Sequence, residues 1–261
     1  MLLSERDRAK LELLGEFVRR EVVRQYKGSW LGVAWTVLNP VFMLAIYTVV
    51  FSVFLRFRVL GGGGMRYALM IFSGMVPFRM LADAMTRSTT CVTANVDLVK
   101  RVAFPAEVLP VSAALAAFVN GLFGLVVLLA MALAVEGGLH ATLAFLPAVW
   151  AVQIVLAMAA AYVLSAAATL VRDVGALMPH LTMALMFLTP VVYPLEMLPA
   201  PYQKIEMLNP AAIIVLSHRQ LIYGQMPPWG PLLGLGVVSA GLFYVGRRWF
   251  RAQRRFFPEV L

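Results

Sequence analysis

The sequence predicts an all-α integral membrane protein: six transmembrane helices, an N-terminal amphipathic interfacial helix, and a short external re-entrant helix pair before the last span. Three observations carry this prediction. First, 61% of the 261 residues are apolar, only 13% are charged, and the mean hydropathy is +0.83, against roughly 45–50% apolar and about 25% charged in soluble domains. A soluble fold of this size has too little interior to hide so much apolar surface; lipid accepts it. Second, the apolar residues form runs long enough to cross ~30 Å of hydrocarbon, which takes roughly 17–25 helical residues. Third, the net charge of +9 is gathered at the ends of those runs. That is the pattern that orients membrane proteins, and it argues against a nucleic-acid surface.

The chain reads as a single transmembrane domain, 1–261, with these elements in order. Residues 4–30 form the interfacial helix. Ser4 and Asp7 resemble a capping box. Leu11, Leu14, Val18 and Val22 follow at helical spacing, with Glu12, Glu16, Arg20 and Arg24 on another side. Leu13 and Phe17 fall off the main stripe, so the helix touches protein as well as lipid. Five spans lie within 37–193: Val37–Leu55, Tyr67–Thr86, Val108–Val135, Leu143–Val171 and Leu177–Tyr193. The prolines of 194–230 leave two short apolar stretches, Tyr202–Leu208 and Ala211–Tyr223. The second is 13 residues, about 20 Å as a helix, which is too short to span. Short apolar helices at membrane depth are tolerated when buried in protein or lining a cavity. Span six is Pro231–Val245, and 246–261 is a cytoplasmic tail.

With six spans, one side collects Arg6, Arg8, Lys10, Arg19, Arg20, Arg24, Lys27, Arg87, Lys100, Arg101, Arg172, Arg247, Arg248, Arg251, Arg254 and Arg255. The other holds Arg56, Arg58, Arg66, Lys204 and Arg219. The positive-inside rule then puts both termini of this multi-pass membrane protein in the cytoplasm. The charged N-terminus with its late first apolar run predicts no cleavable signal peptide.

Several chemistries are excluded by what the sequence lacks. It has no G-x-x-x-x-G-K-[ST], H-E-x-x-H or G-x-S-x-G. Its one cysteine, Cys91, excludes an internal disulfide and a multi-Cys zinc site, and His140, His180 and His218 have no ligand-like spacing. Catalytic residues and a metal site are therefore expected to be absent. The spans carry almost no titratable groups, unlike ion-coupled pumps. The exception is Arg79, Asp83 and Arg87, at i, i+4 and i+8. Asp83 is placed to pair with both arginines, either as an ion-paired helix end or as a polar lining at a substrate entrance. Asn120, Gln153, Ser165, Thr169 and Thr189 read as hydrogen-bond partners between helices.

Two further sets of residues bear on function. Trp35, Tyr47, Phe51, Phe54, Phe72, Phe78, Phe187 and Tyr193 cluster in or beside the first, second and fifth spans. Interface belts and core packing account for most such aromatics; stacking on sugar rings along a channel is the functional alternative. The segment 95–105 mixes Val96, Leu98, Val99 and Phe104 with Asp97, Lys100 and Arg101. That mixture suits a short helix docked in the groove of another protein.

The ordered motifs resemble the type-2 ABC exporter permeases, specifically the branch that exports O-antigen, capsule and teichoic-acid polymers. The resemblance is carried by the stretch 24–35 (RQYKGSWLGVAW) with Leu38-Asn39-Pro40, then Gly74-Met75-Val76-Pro77-Phe78, 95–101 (NVDLVKR) with Phe104-Pro105, and Arg172-Asp173. It continues through 189–194 (TPVVYP), Leu208-Asn209-Pro210 and 219–224 (RQLIYG). The resemblance implies a homodimer with two copies of a separate ATP-binding subunit, so that ATP and magnesium belong to that partner. It implies that Asn95, Val96, Asp97, Leu98, Lys100, Arg101 and Phe104 couple the chain to the ATPase. The implied cargo is a lipid-linked polysaccharide, with O-antigen on undecaprenyl pyrophosphate fitting best. Arg24 and Lys27 are the implied portal for the lipid phosphates, and Tyr47, Phe51, Phe72, Phe78, Phe187 and Tyr193 are candidates to line the channel. An exporter of a small lipid or drug with the same broad fold is the alternative.

Overall fold

A computed structural model describes residues 5–25, 28, 30–50, 64–100 and 104–257, with backbone only for residues 5–10 and 33. The described residues form ten α-helices joined by short turns and 3-10 segments: α1 (Glu5–Arg24), α2 (Trp35–Thr48), α3 (Gly64–Thr90), α4 (Val96–Val99), α5 (Val108–Glu136), α6 (Leu146–Leu170), α7 (Asp173–Leu188), α8 (Ala200–Glu206), α9 (Pro210–Ile222) and α10 (Trp229–Gln253). Among the described residues, four helical segments are long and apolar enough to cross a membrane: Gly64–Thr90, Val108–Glu136, Ala141–Leu170 and Trp229–Phe256. The helices expected as first and fifth spans are shorter. α2 is described over Trp35–Thr48, with a π-helical turn at 49–50 where the described stretch ends, and α7 runs Asp173–Leu188, ending before the 189–194 motif.

α3 is the central helix. Of its most apolar window 78% is buried, against 22–33% for the corresponding windows of the other three long segments. It packs on α5, α6, α9 and α7, and α10 lies along α6. The outer helices keep apolar faces open, among them Phe42 and Ile46 on α2, Val126 on α5 and Val237 and Tyr244 on α10. A hydrocarbon solvent is the natural environment for such surfaces.

The last long helix runs eight residues past the expected end of span six, because Arg247, Arg248 and Arg251 lie within it and extend it to Gln253. Hydropathy marks where lipid contact ends, not where helical hydrogen bonding ends. α5 is bounded by Glu107 and Glu136, with no charge between. It stops at Gly137, whose φ of 75° lets its N–H reach the Leu133 carbonyl. The two proline-flanked stretches become α8 and α9, but they are not alike. α8 leaves Tyr202, Ile205 and nearby Leu208 exposed, whereas α9 is buried from Ala211 through Arg219 and again at Leu221 and Ile222.

Gln153 does donate across a helix interface, to the Pro77 carbonyl at 2.9 Å, and Asn209 donates to Thr189 at 3.2 Å. Ser165 and Thr169 behave otherwise. Their hydroxyls donate back to Tyr162 and Ser165 of the same helix, a local bond open to any helical Ser or Thr.

Candidate functional site

α3 is about 40 Å long, and its two ends are built differently. Beyond its C-terminus, a 3-10 turn at Thr93–Asn95 leads into the four-residue α4. The Asn95 side chain donates to the Cys91 carbonyl at 2.8 Å and fixes that turn. α4 buries Val99 and leaves Asp97 and Lys100 exposed; Asn95, Val96 and Leu98 are half-buried. Val99 joins Cys91, Val92, Ala106, Leu109, Phe250 and Phe257 in one apolar cluster. The expected outward-facing segment is thus present with its charged side free and its apolar side held. Arg101 lies outside the described residues.

Two clamps hold the segment 104–107. On one side Phe17 of α1 packs against Phe104, ring centroids 5.6 Å apart. On the other, α10 brings its basic end over the turn. Arg251 donates to Glu107 at 2.6 and 3.0 Å, Arg247 at 3.1 Å, and Arg254 to the Phe104 carbonyl. Burial tends to raise the Glu107 pKa, but these two arginines outweigh it and hold the carboxyl below its ordinary range. Glu107 could have been suspected from sequence: it is the lone carboxylate at the head of a long uncharged run. Its partners lie some 140 residues away, at |i−j| of 140 and 144.

At the other end of α3, residues that are scattered along the sequence are gathered by α9. Arg219 is 8% exposed. It donates to the carbonyls of Val191 at 2.9 Å and Tyr193 at 3.4 Å, which belong to the turn after α7. Tyr67 donates to Val192 at 3.0 Å and Tyr223 to Arg66 at 3.1 Å; Arg66 in turn forms a two-pronged ion pair with Glu136 at 2.8 and 3.0 Å. Asn209 caps α9 by accepting from the Ala211 N–H at 3.0 Å. The motifs at 189–194, 208–210 and 219–224 are therefore one structural assembly. Gly74 belongs to it as well, since a Cβ there would lie 2.9 Å from Arg219 Nη2 and 3.1 Å from Val215.

The basic residues near α1 are only partly in view. Arg24 is exposed and 3.8 Å from Glu21; Lys27 lies outside the described residues. Asp83 pairs with Arg87 at 2.8 Å, but not, among the described residues, with Arg79. Arg79 instead projects into a cleft of about 300 Å³ between α2, α3 and α5. The candidate channel aromatics do not converge. Phe72 and Phe78 are 2% and 4% exposed and belong to the core of this subunit, because α3 is enclosed on most sides. Tyr47 and Tyr193 are half-buried, Phe187 is 55% exposed, and Phe51 lies outside the described residues. Among the described residues no cluster of three or more His, Cys, Asp or Glu side chains could hold a metal.

Long apolar helices around a central one, with a short charged helix displayed at one end, define a polytopic membrane protein. Residues 12–223 match the ABC-2 type transporter family, and the chain belongs to it. It is 28% identical over 252 residues to the O-antigen export system permease protein RfbA of Myxococcus xanthus, covering 95% of each chain. Two proteins of the same description from Klebsiella pneumoniae are each 24% identical over 253 residues, covering 96% of this chain and 95% of theirs.

Proposed function

We propose that this chain is the transmembrane permease of an ATP-driven exporter that moves a lipid-linked polysaccharide, O-antigen on undecaprenyl pyrophosphate, across the inner membrane. The observation that carries this reading is similarity along the full length, covering 95% of both this chain and a relative described as an O-antigen export permease. Physical chemistry supports it. Each sugar hydroxyl stranded in hydrocarbon costs on the order of several kcal/mol, so a polymer needs a continuous shielded path. Two copies of the chain, each with six spans that include the shorter α2 and α7, would enclose one. α8 and α9 form its external end, and both termini lie in the cytoplasm.

ATP hydrolysis, with its magnesium, belongs to two copies of a separate subunit. Its stroke enters through α4, where Asp97 and Lys100 are free to meet a partner while Val99 is set in the permease's own core. Asn95, Val96, Leu98, Arg101 and Phe104 complete the coupling surface. Arg24 and Lys27 stand at the portal for the lipid phosphates. Of the channel aromatics, Phe187 has the most surface to offer a passing sugar, with Tyr47, Phe51 and Tyr193 beside it; Phe72 and Phe78 support the wall from within.

The test is export in cells. Deletion of the chain should make lipid-linked glycan accumulate on the inner side of the membrane. Asp97→Lys or Lys100→Glu should leave the chain inserted and the partner's ATPase active while export falls at least about tenfold. Normal export by both variants removes the coupling assignment, and a deletion strain without accumulation removes the function.

A further inference from the structure

The three charges stacked on α3 are not equivalent. Asp83 accepts from Arg87 Nε at 2.8 Å. Arg87 also lies 3.7 Å from Glu21 and donates to Gln25 at 2.5 Å. Arg79 makes no hydrogen bond or ion pair with any described residue, and its side chain is exposed within the α2–α3–α5 cleft. Asp83 and Arg87 cancel, so the cleft keeps one spare positive charge about two helical turns, ~12 Å, from Arg87.

The cleft also has two chemically distinct ends. Arg79, Asp83, Thr86, Asn120 and Gln25 line one, and Met43, Phe72, Val76 and Gly124 line the other. The order along the helices fixes this: a Cβ on Gly124 would touch Val76 and Pro40, whereas the Asn120 amide, one turn earlier on α5, donates to Gln25 at 2.8 Å. The carbonyl oxygen of Asn120 is shut off from solvent and accepts no hydrogen bond among the described residues.

A free cation and an apolar wall in one cleft call for an amphiphile with an anion at its polar junction. We propose that the α2–α3–α5 cleft is a binding site for a lipid phosphate ester, with Arg79 holding the phosphate and the partly exposed Pro40 and Met43 receiving the first hydrocarbon units. The site rests on the export reading above and goes further, because it gives the phosphate a partner inside the bundle. Gln25, just beyond the end of α1, is part of the cleft's lining. Arginine suits the task because its planar donors bind phosphate at two points and it stays charged beside hydrocarbon. A neutral glycan has no use for the spare charge.

The test uses the full chain purified in lipid nanodiscs, with farnesyl pyrophosphate, farnesol and inorganic pyrophosphate as probes and calorimetric titration as the readout. Farnesyl pyrophosphate should bind. Farnesol and inorganic pyrophosphate should each bind at least about tenfold more weakly, since each lacks one end of the ligand. Arg79→Gln should weaken farnesyl pyrophosphate about tenfold or more, the loss expected for a charge-assisted hydrogen bond. Arg79→Lys should recover most of the affinity, and both variants should melt with the wild type because the residue is exposed. Asp83→Asn should tighten binding, because it removes a carboxylate from the lining of the cleft. Equal affinity of wild type and Arg79→Gln overturns the site, as does farnesol or inorganic pyrophosphate binding as tightly as farnesyl pyrophosphate. Binding through Arg79 in a protein whose deletion causes no glycan accumulation would leave the site standing and remove the export function. Accumulation without Arg79-dependent binding would do the reverse.

Discussion

Both ends of α3 are tied down by arginines, and the two ties differ in kind. At the α9 end, Arg219 is 8% exposed and its partners are backbone carbonyls of the 189–194 turn. At the α4 end, Arg247 and Arg251 have side chains 44% and 54% exposed and share the carboxylate of Glu107, itself 22% exposed. A buried charge that has lost its water can release those carbonyls only at a large desolvation cost, so it holds one geometry. Exposed ion pairs are worth roughly 0–1 kcal/mol each and can break and re-form. The difference assigns the two ends different tasks. The α9 end is a fixed plug of interlocked motifs, and the α4 end is a joint held firmly by apolar packing and trimmed by charges.

The largest effect that would break this contrast is at Arg219. Arg219→Leu strands the Val191 and Tyr193 carbonyls and should destabilise the chain by about 2–4 kcal/mol, read as a lower midpoint of thermal unfolding in detergent. Gly74→Ala presses on the same guanidinium and should act in the same direction, less strongly. A wild-type midpoint for Arg219→Leu would mean that the α9 end is not the fixed one. Glu107→Gln should cost only about 1 kcal/mol, because its arginines are solvent-screened, yet it should expose the chain near Arg254 to faster tryptic cleavage. Raising salt to ~1 M should reproduce that faster cleavage in the wild type and leave the Arg219 network unchanged.

Acid should separate the ends by sign. The folded pKa of Glu107 is depressed, so its stabilisation is complete above the ordinary carboxylate value of ~4.3 and fades as pH falls through the lower folded value. Glu206 beside α9 is raised by burial, which outweighs the hydrogen bond from Asn209. Its contribution is complete below the ordinary value and is lost as pH rises through the raised one. Amide exchange, corrected for intrinsic rates, should therefore show residues 206–213 tightening as pH falls from 7 toward ~4 and residues 104–109 loosening only below ~4; parallel change at both would blunt the comparison. The smallest effect is expected at Phe17→Leu, which removes one aromatic contact with Phe104. It should cost about 0.5–1 kcal/mol, seen as faster exchange in α1 with little change in the unfolding midpoint.

Much of the fold was legible. The long helices were marked by uncharged apolar runs, the α1 stripe by its spacing, and α9 by an apolar stretch too short to span. Leu11, Leu14 and Val18 do face the bundle, alongside Phe118 and Trp150. The site was less legible. Asp83 satisfies the spacing rule with both Arg79 and Arg87, and spacing could not say which would win. The choice fell to Glu21 of α1 and Gln25 just after it, which hold Arg87 as well. Phe72 and Phe78 looked like any membrane aromatics until α3 proved to be the enclosed helix. Arg219 stood as a charge on the external side, inside the short apolar stretch Ala211–Tyr223, and nothing local announced that two carbonyls 26 and 28 residues upstream would bury it.

The sequence by itself determined that this chain is a helical membrane protein, where its long helices run, and that a charged amphipathic segment follows α3, because hydropathy and helical period are local properties of neighbouring residues. Only the tertiary structure decided which helix is central, which arginine is left free in the cleft, and that three separate motifs form one plug. Those outcomes depend on pairings between residues up to 157 positions apart, such as Tyr223 with Arg66, and the energy of a pair is set by the burial and partners that folding supplies.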